Sequence, residues 1–497
     1  MPIDAEIAGT SEQPLEILIV GAGFSGVGMA IKLLEKGERN FRIVEKSSGI
    51  GGTWFDNRYP GAACDVPSHF YCFSFAPNPN WSRVYSPQAE IQQYIEDCAT
   101  RSGVRDYISN NVRLTALRFD DARQIWKATV DGQAPIFARF VVNAAGGLHK
   151  AAYPDIPGRE RFSGHSMHTA NWDNNVELTG KRVAVIGSAA SAIQLIPEVA
   201  KTAAQVAVFQ RTPNYIAPRN DRAYTEKEKR RFARWPKFAR LYRWFIFMRM
   251  ELLLFPITRA KSKLAAKGAQ KIMMYMRSVV KDKAIQDKLV PDYKLGCKRI
   301  LISDEFYPSL NRPNVQLITD RIDSIEPAGV KTLDGRMHEA DVLVYATGFD
   351  IDGHILSVDI TGEGGRRLAD DWSDIPNAYS GCAVDGYPNY FMMTGPNTGV
   401  ATTSVVYMVE QQIDFVLKLM KMAGERDGIS PTEAAVKRYN EQIQSDFKGS
   451  VWLSGCASWY RREDDRIATL YPYNARRFRR QSRAPVAADF RLSSPRS

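Results

Sequence analysis

The chain has few of the residues that usually mark a metal or disulfide protein. Six histidines and six cysteines are spread over 497 residues. The cysteines stand at 64, 72, 98, 297, 382 and 456, with no C-x-x-C pair, so neither a zinc site nor a disulfide framework is expected. No apolar run is long enough to span a bilayer, and the opening MPIDAEIAGTSEQPLE lacks the apolar core of a signal peptide. A reducing cytoplasm is the expected setting. Acidic residues are scarce in one region only: from Arg222 to Lys288 there are 19 Lys and Arg against 5 Asp and Glu, while the whole chain has a net charge of +11. The remainder is thus slightly acidic. A basic segment in an otherwise neutral protein does not make a nucleic-acid-binding protein, and no recognised nucleic-acid module accompanies the charge.

Two strand–glycine–helix–strand units organise what is present. EILIV (16–20) runs into Gly-Ala-Gly, then a helical pattern and the strand FRIVEK; a second unit begins KRVAVIGSAASAIQLIPEVA and ends QVAVFQR. Alternating strands and helices of this length predict parallel sheets and an α/β fold. Gly21, Gly23 and Gly26, with Ser25 among them, form GxGxxG, whose glycines allow the turn, the approach of a pyrophosphate and close helix–strand packing. Glu45 ends the next strand, where a carboxylate would hold a ribose hydroxyl. A ligand-free glycine turn is the plain alternative. In the second unit Gly187-Ser188-Ala189-Ala190-Ser191-Ala192 lacks the middle glycine, so a purely structural crossover competes. Gln210-Arg211-Thr212 after the following strand sets a guanidinium where an NAD site carries an acid, which favours the 2′-phosphate of NADP; an ordinary surface charge is the alternative. Two such units suggest a flavin enzyme fed by a nicotinamide. Disulfide reductases share that plan, but their cysteine pair is missing.

Longer motifs narrow the class. Gly51-Gly52-Thr53-Trp54 leads through Tyr59-Pro60-Gly61 to Asp65, and Phe162, Gly164, His168, Trp172 and Asp173 follow the spacing FxGxxxHxxxW-D. Cys297-Lys298-Arg299, Ala346-Thr347-Gly348-Phe349, Tyr387-Pro388-Asn389 and Gly395-Pro396-Asn397 add to them. In these positions, from about residue 15 to about 480, the chain resembles the type I Baeyer–Villiger monooxygenases, flavoproteins of class B. The resemblance implies two Rossmann-like three-layer dinucleotide-binding domains, one for FAD and one for NADP, with a helical insert in the latter. The corresponding boundaries are 15–150 with 380–481 for the FAD domain, and 176–215 with 291–379 for the NADP domain. Residues 151–175 would be the linker and 216–290 the basic insert, with a disordered 1–14 and a flexible tail over 482–497.

The resemblance also implies roles. Gly52, Thr53, Trp54, Asp65 and Tyr71 match residues lining a flavin. Arg299 matches the active-site arginine, which Asp65 positions. Gly187, Ser188, Ser191, Arg211, Thr212 and Lys298 match the NADPH site, and Trp459 matches a tryptophan that closes on the nicotinamide side. NADPH would reduce FAD, and a flavin C4a-peroxide formed with O₂ would attack a ketone to give an ester or lactone. Oxygenation of nitrogen or sulfur, an uncoupled NADPH oxidase, and a cofactor-binding sensor without turnover are the competing readings.

His168 could be a base, a metal ligand or a linker residue. No donors complete a metal site beside it, and the resemblance favours a hinge that couples domain motion to cofactor binding. His165 reads as an ordinary loop residue. In the insert, KEKRRFARWPKFARLYRWFIFMRMELLL (227–254) alternates arginines with aromatics. One reading is a helical subdomain packed on the NADP domain. The other is that Trp244, Phe245, Phe247 and Leu252 to Phe255 offer an apolar face, ringed by arginine, to a membrane surface or lipophilic substrate. The expected partners are a small ketone and O₂, with no nucleic acid and a monomer or dimer as the assembly.

Overall fold

The computed structural model describes residues 9–350, 357–425, 428–456 and 460–494. The first sheet has eight strands. A parallel core is formed by β1 (Leu15–Val20), β2 (Phe41–Glu45), β3 (Ile108–Asn110) and β6 (Ile136–Asn143), in the order β6-β1-β2-β3. β4 (Leu114–Asp120) and β5 (Ile125–Val130) extend it as an antiparallel hairpin next to β6. Strand alternation divides the core. Ile17, Ile19, Ile43 and Val142 face α1 (Phe24–Glu35) and α3 (Gln88–Arg101), while Leu18, Val44 and Val141 face the hairpin side with Trp126 and Tyr390. Both faces are covered, as a mostly parallel sheet requires.

The second sheet is wholly parallel, in the order β12-β9-β8-β16-β7. Its strands are β7 (His165–His168), β8 (Arg182–Ile186), β9 (Gln205–Phe209), β12 (Val315–Ile318) and β16 (Val342–Tyr345). Val183, Val185, Val206 and Val208 pack towards α4 (Ala190–Val199) and α9 (Phe306–Ser309). Ala184, Ile186, Ala207 and Leu343 face an antiparallel meander of β13 (Ile322–Glu326), β14 (Gly329–Thr332) and β15 (Met337–Glu339). The third layer is thus made of strands.

Four helices make the insert: α5 (Glu226–Arg234), α6 (Pro236–Arg249), α7 (Lys263–Val279) and α8 (Lys283–Lys288). A two-stranded ladder of β10 (Ile216–Ala217) and β11 (Leu301–Ile302) closes its base. The insert does not rest on the second domain alone. Phe238, Tyr242, Phe247 and Met250 pack on the core of the first. Phe247, expected on an outward apolar face, stacks on Tyr407 at 5.0 Å.

Several boundaries differ from those read in the sequence. The fingerprint segment within 151–175 contains the edge strand β7, whose polar HSMH pattern hides a strand that pairs on one side only. β17 (Asp359–Thr361), followed by α10 (Leu368–Asp371), pairs with β4 and so extends the first sheet, although 291–379 was assigned to the second domain. β18 (Tyr390–Met392) pairs with β6, and the helices α2 (Thr53–Asp56), α11 (Val405–Met422), α12 (Glu433–Asp446) and α13 (Ala475–Ser482) complete the first domain. The tail is built in over its described part. β20 (Phe490–Ser493) pairs antiparallel with β19 (Gly428–Pro431), Phe490 packs on Phe415, and Arg491 is salt-bridged to Glu363. Of the segment 1–14, residues 9–14 are described, and the Gly9 carbonyl accepts a hydrogen bond from the Phe137 amide.

Candidate active site

A cleft of about 820 Å³ runs along the carboxyl ends of the first sheet. Gly21, Gly23, Ser25, Glu45, Gly52, Thr53, Trp54 and Tyr71 line one side, and Asn143, Ala144 and Thr394–Thr398 line the other. The glycines are needed for space. A Cβ on Gly26 would lie 1.9 Å from the Gly21 carbonyl oxygen, which lets α1 start directly under the turn. Gly52, at φ +55°, brings its backbone against Gly23. Glu45 is buried and already engaged: its Oε2 accepts from the Ala22 amide at 2.7 Å and its Oε1 from the Ser47 amide at 2.8 Å. It therefore braces the glycine turn from below while facing the cleft, a second duty beyond the ribose contact expected of it. Trp54 Nε1 donates to the Tyr71 hydroxyl at 3.1 Å, and burial raises the pKa of that phenol, keeping it neutral.

Asp65 and Arg299 meet from opposite parts of the chain. Arg299 Nε donates to Oδ2 at 2.9 Å and Nη2 to Oδ1 at 2.6 Å, a forked pair. The Asp65 carboxylate raises the Arg299 pKa further, so the guanidinium stays charged. The Arg299 side chain is 46% exposed. A pair so open to water adds little stability; what it fixes is the position of a permanent cation beside Tyr71. Tyr460, which the sequence did not single out, lies close enough to feel the Arg299 charge. Trp459 lies outside the described residues.

The cysteine expectation is overturned here. Cys297 and Cys456 form a disulfide, with Cα atoms 6.4 Å apart and a sequence separation of 159. No C-x-x-C spacing announces it, because the pair is brought together only by folding. It ties the Lys298-Arg299 segment to the C-terminal part of the first domain. The other four cysteines are buried thiols.

The second glycine turn is built like the first. Gly187 has φ +118°, and a Cβ there would come within 2.4 Å of the Ala346 carbonyl oxygen. Ala189, where the usual motif has glycine, caps α4 at φ −90°, a conformation open to any residue. The substitution therefore brings no strain. Ser188 Oγ donates to the Thr212 carbonyl at 3.3 Å, holding the turn against the Arg211 loop. Burial and the nearby Arg211 guanidinium lower the Lys298 pKa. Asp292 acts on Lys298 in the opposite sense, but more weakly than Arg211, and two cations held this close make a site for a multiply charged anion.

The domains are joined by a clamp and a hinge. In the clamp, Gln194 on α4 reaches the loop that carries Asp65. Its Oε1 accepts from the Tyr59 hydroxyl at 2.9 Å and the Ala63 amide at 3.4 Å, and its Nε2 donates to the Ala63 carbonyl at 2.9 Å. A Cβ on Gly61 would sit 2.4 Å from the Gln194 carbonyl oxygen, so the loop lies directly on the helix backbone. The sequence held no signal for Gln194 beyond its place on the helix that carries Ser191. In the hinge, the two chain crossings lie side by side. The Ala152 amide donates to Gly348 at 3.0 Å, the Asp350 amide to Lys150 at 2.9 Å, and Thr347 Oγ1 to Ala152 at 2.6 Å.

His168 stands at this hinge, fully buried, its ring 5.2 Å from Tyr153 and 6.3 Å from Phe349. Its Nδ1 accepts from the Ala170 amide at 3.0 Å, and burial lowers its pKa to about 4, so it is neutral near pH 7. Phe162 packs on the meander side of the second sheet. Gly164 is required because a Cβ would meet the Asp341 carbonyl oxygen at 2.4 Å. Trp172 packs on the helix side, and Asp173 lies 3.7 Å from His165. This second fingerprint thus forms an edge strand and its anchors. Among the described residues no group of three His, Cys, Asp or Glu could hold a metal ion, and no helix is long and apolar enough to cross a membrane.

Known proteins share this architecture. A family model described as pyridine nucleotide-disulphide oxidoreductase matches residues 18–228. A Baeyer–Villiger monooxygenase of Pseudomonas aeruginosa is 40% identical, covering 96% of this chain and 92% of that protein. One from Streptomyces coelicolor is 36% identical, covering 97% and 93%. Among solved structures, a closed cyclohexanone monooxygenase superposes with a TM-score of 0.87 at 28% identity, over 96% of this chain and 99% of that one. An oxidized steroid monooxygenase bound to NADP gives 0.85 at 30% identity over the same shares. With sequence relatives at 36–40% identity matched nearly end to end, the chain belongs to the Baeyer–Villiger monooxygenases.

Proposed function

We propose that the protein is an NADPH- and O₂-dependent FAD monooxygenase that inserts one oxygen atom beside a ketone carbonyl, giving an ester or lactone. The observation that carries this reading is the forked Asp65–Arg299 pair next to the Trp54–Tyr71 wall of the cleft. The cleft fits a flavin dinucleotide by its chemistry: a glycine turn with no room for a Cβ, a helix N-terminus for the pyrophosphate, and aromatic residues further along. When bound, FAD reduced by NADPH would supply the electrons that activate O₂, the source of the inserted atom.

The protein residues govern charge and position. Gly21, Gly23, Ser25 and Glu45 would hold the adenosine and pyrophosphate portion, and Gly52, Thr53, Trp54 and Tyr71 the flavin portion. Gly187, Ser188, Ser191 and Thr212 would take the NADPH pyrophosphate, with Arg211 and Lys298 on its 2′-phosphate. Arg299 is a cation that cannot be lost by deprotonation, so it would stabilise negative charge that develops on oxygen during the reaction. Asp65 keeps the guanidinium in one orientation. Neutral His168 neither donates to nor accepts from the reacting atoms; it supports the hinge.

Incubation with NADPH, O₂ and a ketone panel, read by mass, tests the reading. A gain of one oxygen as an ester, or its hydrolysis products, is expected. Products from amines or sulfides alone would make the enzyme an N- or S-oxygenase. Arg299→Ala should still have its flavin reduced by NADPH yet form no ester, and normal ester formation by this variant would remove Arg299 from the chemistry.

A further inference from the structure

We propose that the outer face of α6, with the turn that follows it, docks this enzyme on an anionic lipid surface. The inference is independent of the catalytic reading and begins from an inversion of polarity. Two charged side chains of this segment point inward. Arg243 is mostly buried, and its Nη1 donates to the carbonyls of His69, Phe70 and Cys72 at 3.1, 3.3 and 2.9 Å. Glu251 is buried and accepts from the amides of Ala475 and Arg476 at 3.1 and 3.4 Å, capping α13. The large apolar side chains point outward instead: Leu241, Trp244, Phe245 and Leu252 are 59%, 55%, 57% and 61% exposed.

The inversion is tied to helix geometry. Residues 241, 244 and 245 recur at the three- and four-residue steps that share one face. The following turn, Met250–Leu254, is a π-helix. There Glu251 is drawn in to cap α13, and Leu252 and Leu253 are left on the outer surface. Lys237, Arg240 and Arg249 are exposed along the same helix. Long basic side chains beside Leu, Trp and Phe are the composition of a helix lying in a bilayer interface, where the apolar residues enter the headgroup boundary and the cations meet phosphates.

Charge selects the occupant. Residues 222–288 carry 19 basic against 5 acidic residues, so a second copy meeting this face would set like charge on like. An anionic bilayer supplies both the opposite charge and an apolar layer. Among the described residues no helix can span the membrane, so the contact is peripheral and reversible.

The test is co-sedimentation of the FAD-loaded full chain with vesicles of phosphatidylcholine, with or without one-third phosphatidylglycerol, at low and high salt. Binding is expected only with phosphatidylglycerol, and weaker at high salt. Lys237→Gln with Arg240→Gln should lower partitioning roughly thirtyfold, at about 1 kcal/mol for each basic side chain near the surface. Trp244→Gln with Phe245→Gln should lower it at least as far; unchanged flavin content and melting temperature would show that both variants fold. Failure to bind at low salt, equal binding to both vesicle types, or full binding by either variant would overturn the proposal. So would a wild-type dimer, seen by sedimentation velocity, that Trp244→Gln with Phe245→Gln dissolves, since a second copy would then cover the face.

Discussion

Replacing Gln194 by alanine should loosen the contact between the two nucleotide domains without touching either cofactor site. The side chain makes two hydrogen bonds of 2.9 Å and one of 3.4 Å to the Tyr59–Ala63 loop. Intramolecular hydrogen bonds contribute about 0.5–1.5 kcal/mol each. Tyr59 is 9% exposed, and its hydroxyl would keep the Ser191 side chain as a partner. The three bonds together amount to about 1.5–4.5 kcal/mol, or roughly ten- to two-thousandfold in the population of the clamped arrangement. Tyr59→Phe should cost less, because it removes the donor together with its need for a partner. In a double-mutant cycle the two changes should couple by about 1 kcal/mol. Urea unfolding gives the stability cycle, and stopped-flow reduction of the flavin by NADPH gives the functional one. The loop also carries Asp65, so the reduction rate or the coupling of NADPH use to ester formation should fall along with stability. A coupling energy near zero, or a variant that unfolds and turns over like the wild type, would refute the clamp.

Two further outcomes follow from buried groups. Denatured without reductant, the chain should show four reactive thiols, rising to six on reduction; six at the outset would disprove the Cys297–Cys456 link. Replacing both partners by alanine should lower stability by up to about 5 kcal/mol, as a long closed loop implies, measured by urea unfolding. His69 and His168 are each lowered from about 6.5 to about 4, mainly by burial, with the Arg243 charge also acting on His69. Between those values the unfolded chain binds protons that the folded one refuses. Stability should therefore be full above pH 6.5 and fall towards pH 4, by up to about 1.4 kcal/mol per pH unit for each ring. His69→Phe should roughly halve that slope in unfolding curves collected across the range, and an unchanged slope would count against it.

What could be read in the sequence was local or long in pattern. EILIV before Gly21 and RVAVI before Gly187 show both nucleotide units, because an apolar run, a glycine turn and a helical period fall within one short stretch. Arg299 could be named only through the resemblance, since nothing near residue 299 announces its partner 234 positions away. The Gln194 clamp and the disulfide were hidden for the same reason: each exists only after distant segments meet. β7 and β20 were hidden differently. HSMH and FRLS are short and partly polar, and each is held by pairing along one edge. The insert's apolar face was legible as composition, but not which side it lay on; the buried Arg243 and Glu251 decide that, and Phe247 turned out to face inward.

The paired crossings at 150–152 and 347–350 have a consequence for how such an enzyme can be assembled or altered. The chain leaves the first domain and returns to it through strands linked by the Ala152–Gly348 and Asp350–Lys150 hydrogen bonds. The whole second domain, with its helical insert, is therefore a cassette spliced into the host chain at one place, and it is held to the host elsewhere by the insert, the Gln194 clamp and the Cys297–Cys456 disulfide. Recombining two relatives at residues 151 and 349 would transplant the Arg211–Lys298 pair and Arg299 as one module, and leave the Trp54–Tyr71 cleft with its original owner.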